Sequence, residues 1–146
     1  RWLERGIDPL RLAGFGVAAG VAAFMAVLFA APFGSPGLLA VGALAIGFGV
    51  GLFSVGTLIA AMDVARGGAS GLALGAWGAV QASCAGLAIA AGGLVRDLAS
   101  GPAGEARMAG YATVYLIEIA LLLATVGVLG PLVGRARAAA EARPAG

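Results

Sequence analysis

The sequence predicts an all-α membrane protein with four antiparallel transmembrane helices, and its composition and its hydropathy pattern predict this fold class. Of 146 residues, 61% are hydrophobic and 11% are charged, and the mean hydropathy is +1.02. Average soluble chains carry about 25% charged residues. Ten-residue segments of alternating polar and apolar residues, which a membrane β-barrel requires, are missing. Helices satisfy their own backbone groups inside lipid, so they remain as the spanning elements.

Four apolar runs are each long enough to cross a hydrocarbon core of about 30 Å, which takes about 20 helical residues. They cover residues 12–31, 38–62, 71–95 and 111–133. The segments between them, "PFGSPG", "DVARGGASG" and "RDLASGPAGEAR", are rich in the proline, glycine and charged residues that form turns in water. The sequence therefore predicts a loop at residues 1–11, an up-and-down bundle at 12–133 and a tail at 134–146.

The arginines predict the orientation of this bundle, because positive charge is retained on the cytoplasmic side of short loops. Seven arginines fall on the side that holds both ends of the chain, whereas Arg96 and Arg107 fall on the other side. Both termini are therefore predicted to be cytoplasmic. The chain opens on arginine with a charged stretch typical of a loop between helices, so we expect it to be part of a longer polypeptide.

The third run consists largely of glycine and alanine. Helices in a bilayer associate through close packing of small residues, and two stripes in this run have that spacing. One stripe contains Gly71 and Gly75, and the other contains Gly78 and Gly86. We expect these glycines to pack against other helices and to place the third helix inside a bundle. The fourth run carries larger aliphatic residues, which predicts a more lipid-exposed helix.

Three side chains within the runs are candidates for a site. Burying a carboxylate near the middle of a bilayer costs about 3 kcal/mol, so Glu118 is either a proton site or ligand contact, or a group that reaches the headgroups or Arg107. Gln81 is expected to hydrogen-bond across helices or to contact a ligand. Trp77 is expected to pack between helices or to stack on a flat ligand.

The residue inventory excludes several chemistries. With no histidine and a single cysteine, Cys84, the chain offers no transition-metal site with the usual ligands, no internal disulfide and no histidine-assisted nucleophile. Asp63 and Asp97 lie at opposite membrane surfaces, so they do not form an acid–base pair. We therefore expect neither an enzyme nor a catalytic residue, and the net charge of +2 gives no indication of a nucleic-acid partner.

Two stretches carry a resemblance to a known family. They are "GLFSVGTLIAAMDVARGGASGLALGAWGAVQASCAGLAIAAGGLVRD" at 51–97 and "GYATVYLIEIALLLATVGVLGPLV" at 110–133. The most specific parts are residues 71–81 and the set Tyr111, Val114, Tyr115 and Glu118. The chain resembles the closing portion of PucC/LhaA-type light-harvesting complex assembly proteins, the bacteriochlorophyll-delivery branch of the major facilitator superfamily.

The resemblance implies a fold and a place in the cell. The four helices would be the ninth to twelfth of a twelve-helix facilitator fold, the last third of it, in the cytoplasmic or intracytoplasmic photosynthetic membrane of a bacterium. The remaining helices would belong to the rest of the same chain. Arg5, Asp8 and Arg11 would match the basic motif that facilitator proteins often carry in the loop before the ninth helix.

The resemblance also implies a function in assembling light-harvesting antennae, by delivering bacteriochlorophyll or by chaperoning antenna polypeptides. Membrane lipid, antenna polypeptides and the reaction centre would be the partners. Without histidine, we expect no tightly bound cofactor but a transiently held bacteriochlorophyll, contacted by Trp77, Gln81, Tyr115 and Glu118. Two alternatives stay open: a proton-coupled facilitator-type transporter with Glu118 as its coupling carboxylate, and a structural subunit bound to an antenna–reaction centre complex.

Overall fold

A computed structural model describes residues 8–65, 68–100 and 104–141, and these residues form four helices. The helices are α1 (Pro9–Ala30), α2 (Pro36–Val64), α3 (Ser70–Ala99) and α4 (Gly104–Glu141). Each contains a stretch long and apolar enough to cross a membrane, at Pro9–Ala30, Pro36–Asp63, Ser70–Ala99 and Met108–Pro131. The predicted fold class, an all-helical protein with four spanning helices, is confirmed.

The helices extend beyond the apolar runs that predicted them. Helix α1 begins within the predicted loop, and α4 continues to Glu141, well inside the predicted tail at 134–146. Apolar length sets the part of a helix that lies in lipid, whereas backbone hydrogen bonding continues into polar sequence wherever capping and helix propensity allow it. Ala138, Ala139 and Ala140 near the end of α4 are strong helix formers.

Polar side chains and prolines determine where the first two helices begin. The Asp8 carboxylate accepts a hydrogen bond from the Leu10 N–H at 2.9 Å, and the Ser35 hydroxyl accepts one from the Leu38 N–H at 3.2 Å. A proline follows each cap, where its missing N–H is not needed. Asp8, one residue of the proposed basic motif, is thus the cap of α1; Arg11 is exposed, and Arg5 lies outside the described residues.

The most extensive contact between helices is that of α1 and α2. Gly42, Gly49 and Gly56 recur every seven residues along α2 and are buried against α1. A Cβ at Gly49 would lie 2.8 Å from the Gly16 carbonyl oxygen, and one at Gly56 would lie 2.6 Å from the Pro9 carbonyl oxygen. Backbone therefore meets backbone along this interface, and only glycine fits there. The seven-residue repeat is that of helices that pack along a continuous seam.

Because of this contact, α1 is the buried helix of the described chain. Its buried residues are Ala13, Gly16, Val17, Gly20, Ala23, Val27 and Ala30. Helix α4 packs on another side of α1 and also contacts α3, whereas α2 and α3 meet over a short stretch only.

The sequence analysis places α3 inside the bundle, but α3 lies at its edge. No residue of α3 is buried, and a Cβ added at Gly71, Gly75, Gly78 or Gly86 would meet no atom within 4 Å in the part of the chain that the structure describes. The physical reason is that the closest backbone approach uses the glycine rows of α1 and α2, which leaves α3 at the edge. Packing at these four glycines stays a prediction about contacts beyond the described residues.

Candidate functional site

Residues from all four helices line an open cavity of about 1000 Å³. Gly16, Gly20 and Gly49 from the tight α1–α2 contact line one side, and α3 and α4 line the other. Most of the lining residues are aliphatic, aromatic or small. Ligand cavities typically combine such an apolar wall with a few polar groups that orient the ligand.

Three of the residues predicted from sequence meet in this cavity. Trp77 and Gln81 line it from α3, and Glu118 lines it from α4. Trp77 and Gln81 are four residues apart, so both project from the same face of their helix. Cys84 lies one further turn along α3 and also lines the cavity.

Two hydrogen bonds join α3 to α2 at the edge of the cavity. The Gln81 Nε2 donates to the Ser54 Oγ at 2.8 Å, and the Trp77 Nε1 donates to the Thr57 Oγ1 at 3.2 Å. The Thr57 hydroxyl in turn donates to carbonyl oxygens of its own helix, at Phe53 (2.9 Å) and Ser54 (3.2 Å). This leaves an oxygen lone pair for the indole of Trp77.

Ser54 and Thr57 are the residues of this candidate site that the sequence analysis missed. They stand three residues apart in "SVGT", within an otherwise apolar span. Hydroxyl side chains in transmembrane helices frequently hydrogen-bond across helices, so this spacing is a usable signal. The sequence does not show which helix they face.

Glu118 is partly buried and lies near the middle of the Met108–Pro131 span. Within the described part of the chain, its carboxyl group forms no hydrogen bond or ion pair. A carboxyl group at this depth normally faces a cavity or pairs with another polar group. Glu118 faces a cavity, where a ligand, a proton or water can reach it.

Tyr115 does not line this cavity with the other three candidates. Its ring packs against Phe24, with centroids 6.0 Å apart and ring planes inclined by 44°. Tyr115 and Tyr111 line a second cavity of about 760 Å³, beside the turn between α1 and α2. The Arg96 guanidinium, which is paired with the Asp97 carboxylate at 2.6 Å, lies 5.8 Å from the Tyr111 ring centroid.

The fold and the cavity define a multi-pass helical membrane protein with a largely apolar cavity that carries a few polar side chains. Residues 1–137 match the model of the PUCC protein family, and the chain belongs to this family. It is 45% identical over 140 residues to "Protein PucC" of Cereibacter sphaeroides, which covers 94% of this chain and 30% of that protein. It is 39% identical over 140 residues to "Protein PucC" of Rhodobacter capsulatus, with 92% and 30% covered.

A further relative is the "uncharacterized protein in puhA-bchM intergenic region" of Rhodobacter capsulatus. The identity is 47% over 140 residues, covering 91% of this chain and 29% of that protein. The chain thus spans about 30% of the length of the curated relatives that it matches. No solved structure matches it.

Proposed function

We propose that the protein is a membrane factor in the assembly of photosynthetic light-harvesting antenna complexes, and that it holds bacteriochlorophyll transiently during delivery. Its family membership supports the general role. The observation that carries the pigment-binding part is the cavity of about 1000 Å³ at membrane depth, with an apolar wall and a few polar groups. Antenna polypeptides, the reaction centre and the remaining helices of the longer protein are the proposed partners.

The residues around the cavity fit the chemistry of this pigment. Bacteriochlorophyll is a flat, largely apolar ring that carries magnesium, and magnesium prefers oxygen ligands. Gln81 uses its amide nitrogen to bind Ser54, so its carbonyl oxygen is free to face a ligand. Glu118 offers carboxyl oxygens, and Trp77 offers an aromatic face. Two weak oxygen donors in place of a histidine suit a carrier that must release its cargo.

Two alternatives follow from the same cavity. A carboxyl group near the middle of a span is a common feature of proton-coupled transporters, and Glu118, which has no hydrogen-bond or ion-pair partner among the described residues, offers one. A structural subunit of an antenna–reaction centre complex would instead keep its pigment and partners at fixed stoichiometry.

The deciding experiment is purification of the native full-length protein in a mild detergent, followed by an absorption spectrum and mass spectrometry. Bacteriochlorophyll present in less than equimolar amount, together with antenna polypeptides, supports delivery. Pigment and polypeptides at a fixed ratio identify a structural subunit. Absence of both, with proton-coupled flux that the Glu118→Gln variant loses, identifies a transporter.

We further propose that the helices belong to a facilitator-type fold and that both termini are cytoplasmic. The arginine distribution supports this orientation. Cysteines introduced singly at positions 67 and 102 of a Cys84→Ala protein test it. A membrane-impermeant maleimide applied to the outside of intact cells should label position 102 and spare position 67.

A further inference from the structure

The contact between α2 and α3 is held by side chains rather than by backbone packing. Among the described residues, a Cβ added at any glycine of α3 would meet no atom of α2 within 4 Å. The Gln81–Ser54 and Trp77–Thr57 hydrogen bonds join the two helices at the cavity edge. Single interhelical hydrogen bonds in membrane proteins are weak on average, so these helices can separate at low cost.

The cavity reaches the outer surface of the bundle at this contact. Val50 of α2 and Val80 of α3 both line the cavity, and they are 58% and 63% exposed. In the described part of the chain neither side chain is covered, and both lie near the middle of their spans. The cavity therefore opens between α2 and α3 through an apolar mouth at membrane depth.

We propose that bacteriochlorophyll enters the cavity from the bilayer between α2 and α3, and replaces Ser54 and Thr57 as the hydrogen-bond acceptor for Gln81 and Trp77. This inference rests on the proposed function. It adds the route by which the pigment enters. It also adds the chemistry of recognition, in which carbonyl oxygens at the edge of the ring accept hydrogen bonds from Gln81 and Trp77.

In both hydrogen bonds α3 supplies the donor and α2 the acceptor. A ligand that replaces α2 at this contact must therefore supply acceptors. When α2 and α3 separate, the Gln81 and Trp77 N–H groups lose their partners, and an unsatisfied donor in an apolar site is costly. The Thr57 hydroxyl keeps its bonds to carbonyl oxygens of α2. The two donors are four residues apart on one helix face, about 6 Å at Cβ, so one rigid ring can reach both.

Removal of the α2 acceptors tests the route. The Ser54→Ala/Thr57→Val variant of the full-length protein deletes both acceptors and leaves Gln81 and Trp77 in place. Thr125→Val is the matched control, because Thr125 lines the same cavity but donates only to Leu121 of its own helix. Loss of two average interhelical bonds shifts the ratio of separated to joined helices about eightfold.

Two measurements test the proposal. The first is the rate at which the protein in lipid vesicles takes up bacteriochlorophyll, and the second is the position of the carbonyl bands in the resonance Raman spectrum of the bound pigment. We expect faster uptake, by up to about eightfold, for the double variant than for Thr125→Val, with a hydrogen-bonded carbonyl band in both. Trp77→Phe and Gln81→Leu should each return one carbonyl band to the frequency of a carbonyl group without a hydrogen bond. Equal uptake by the double variant and its control overturns the route, and carbonyl bands unmoved by Trp77→Phe and Gln81→Leu overturn the recognition chemistry.

Failure of the proposed function has a different signature. If the parent protein takes up no pigment, delivery is wrong, and the contact is then tested without a ligand. With the other tryptophans replaced by phenylalanine, lipid brominated in its acyl chains should quench Trp77 more strongly in the double variant than in Thr125→Val. Equal quenching overturns the separation of α2 from α3.

Discussion

Helix α2 takes part in two interfaces built on opposite principles. Toward α1 it presents Gly42, Gly49 and Gly56, and the two backbones touch. Toward α3 it presents two hydroxyl groups, and the contact consists of hydrogen bonds between side chains. The first interface depends on shape, because an atom added at Gly49 or Gly56 would meet backbone of α1. The second depends on polar groups that can exchange one partner for another.

The difference shows how one helix can be held firmly by one neighbour and still separate from another. Close packing of small residues is the main source of association in lipid, whereas interhelical hydrogen bonds contribute about 0.6 kcal/mol each on average. The α1–α2 pair is therefore the stable unit, and the α2–α3 contact is the place where the cavity can open.

The largest effect should come from filling the α1–α2 interface. Gly49→Leu places a side chain against the backbone of Gly16 and Gly20, and we expect a loss of about 3 kcal/mol in unfolding free energy. Gly51→Leu is the control, because a Cβ there meets nothing within 4 Å. Unfolding by sodium dodecyl sulfate in mixed micelles, followed by circular dichroism, measures both. Equal losses would show that the backbone contact does not set stability.

A smaller effect of opposite sign should follow from neutralising the cavity carboxyl. Glu118→Gln removes a group that is costly at this depth and has no described partner, so we expect a gain of about 2 kcal/mol in the same unfolding assay. Thr125→Val, on the same helix and the same cavity, should leave stability nearly unchanged. A loss on Glu118→Gln would show that the carboxyl group has a partner in the rest of the longer protein.

A third change should separate backbone clashes from side-chain clashes within the glycine row. A Cβ at Gly42 would lie 2.6 Å from the Val27 Cγ2, the end of a side chain. We expect Gly42→Ala to cost about 1.5 kcal/mol, and Val27→Ala in the same chain to recover part of that loss. Gly49→Ala, which meets backbone, should not be recovered by Val27→Ala. A double-mutant cycle without coupling between positions 27 and 42 would contradict the register of α1 on α2.

The smallest effect on stability belongs to the α2–α3 contact. Ser54→Ala/Thr57→Val should lower the unfolding free energy by about 1 kcal/mol, the sum of two average interhelical bonds. Thr57→Ser keeps the acceptor for Trp77 and should change stability less than Thr57→Val. A loss as large as that of Gly49→Leu would mean that the contact is structural, and the contrast between the two faces of α2 would disappear.

The sequence predicted the helices for a clear physical reason, and it singled out three of the residues that line the cavity. Spans follow from hydropathy alone, and Trp77, Gln81 and Glu118 are conspicuous because polar or bulky residues are rare in these runs. Their meeting in one cavity depends on helix rotation, which hydropathy does not determine. For the same reason Tyr115, which lies three residues before Glu118 on α4, packs on Phe24 and does not line this cavity.

Glycine spacing was harder to interpret, because with 26 glycines in the chain many four-residue matches occur by chance. Gly16 and Gly20 have this four-residue spacing and form the α1 side of the contact with α2. Gly47 and Gly51 have the same spacing, but a Cβ at either would meet no atom within 4 Å in the described chain, and the seven-residue row at 42, 49 and 56 forms the α2 side. Small residues in α3 indicated a buried helix, yet that helix lies at the edge. A composition rich in small residues indicates that another helix can pack closely on that surface. It does not indicate whether a partner helix lies there.

The row of glycines in α2 also has a consequence for biosynthesis. The α1–α2 turn is short and capped at Ser35, so the two helices emerge from the ribosome as neighbours joined at one end. Their complementary backbones can pack together as soon as α2 enters the bilayer, before α3 has inserted beside them. Helices α3 and α4 would then insert beside a packed hairpin, and a single bulky residue in that row would disrupt the pairing of α1 with α2.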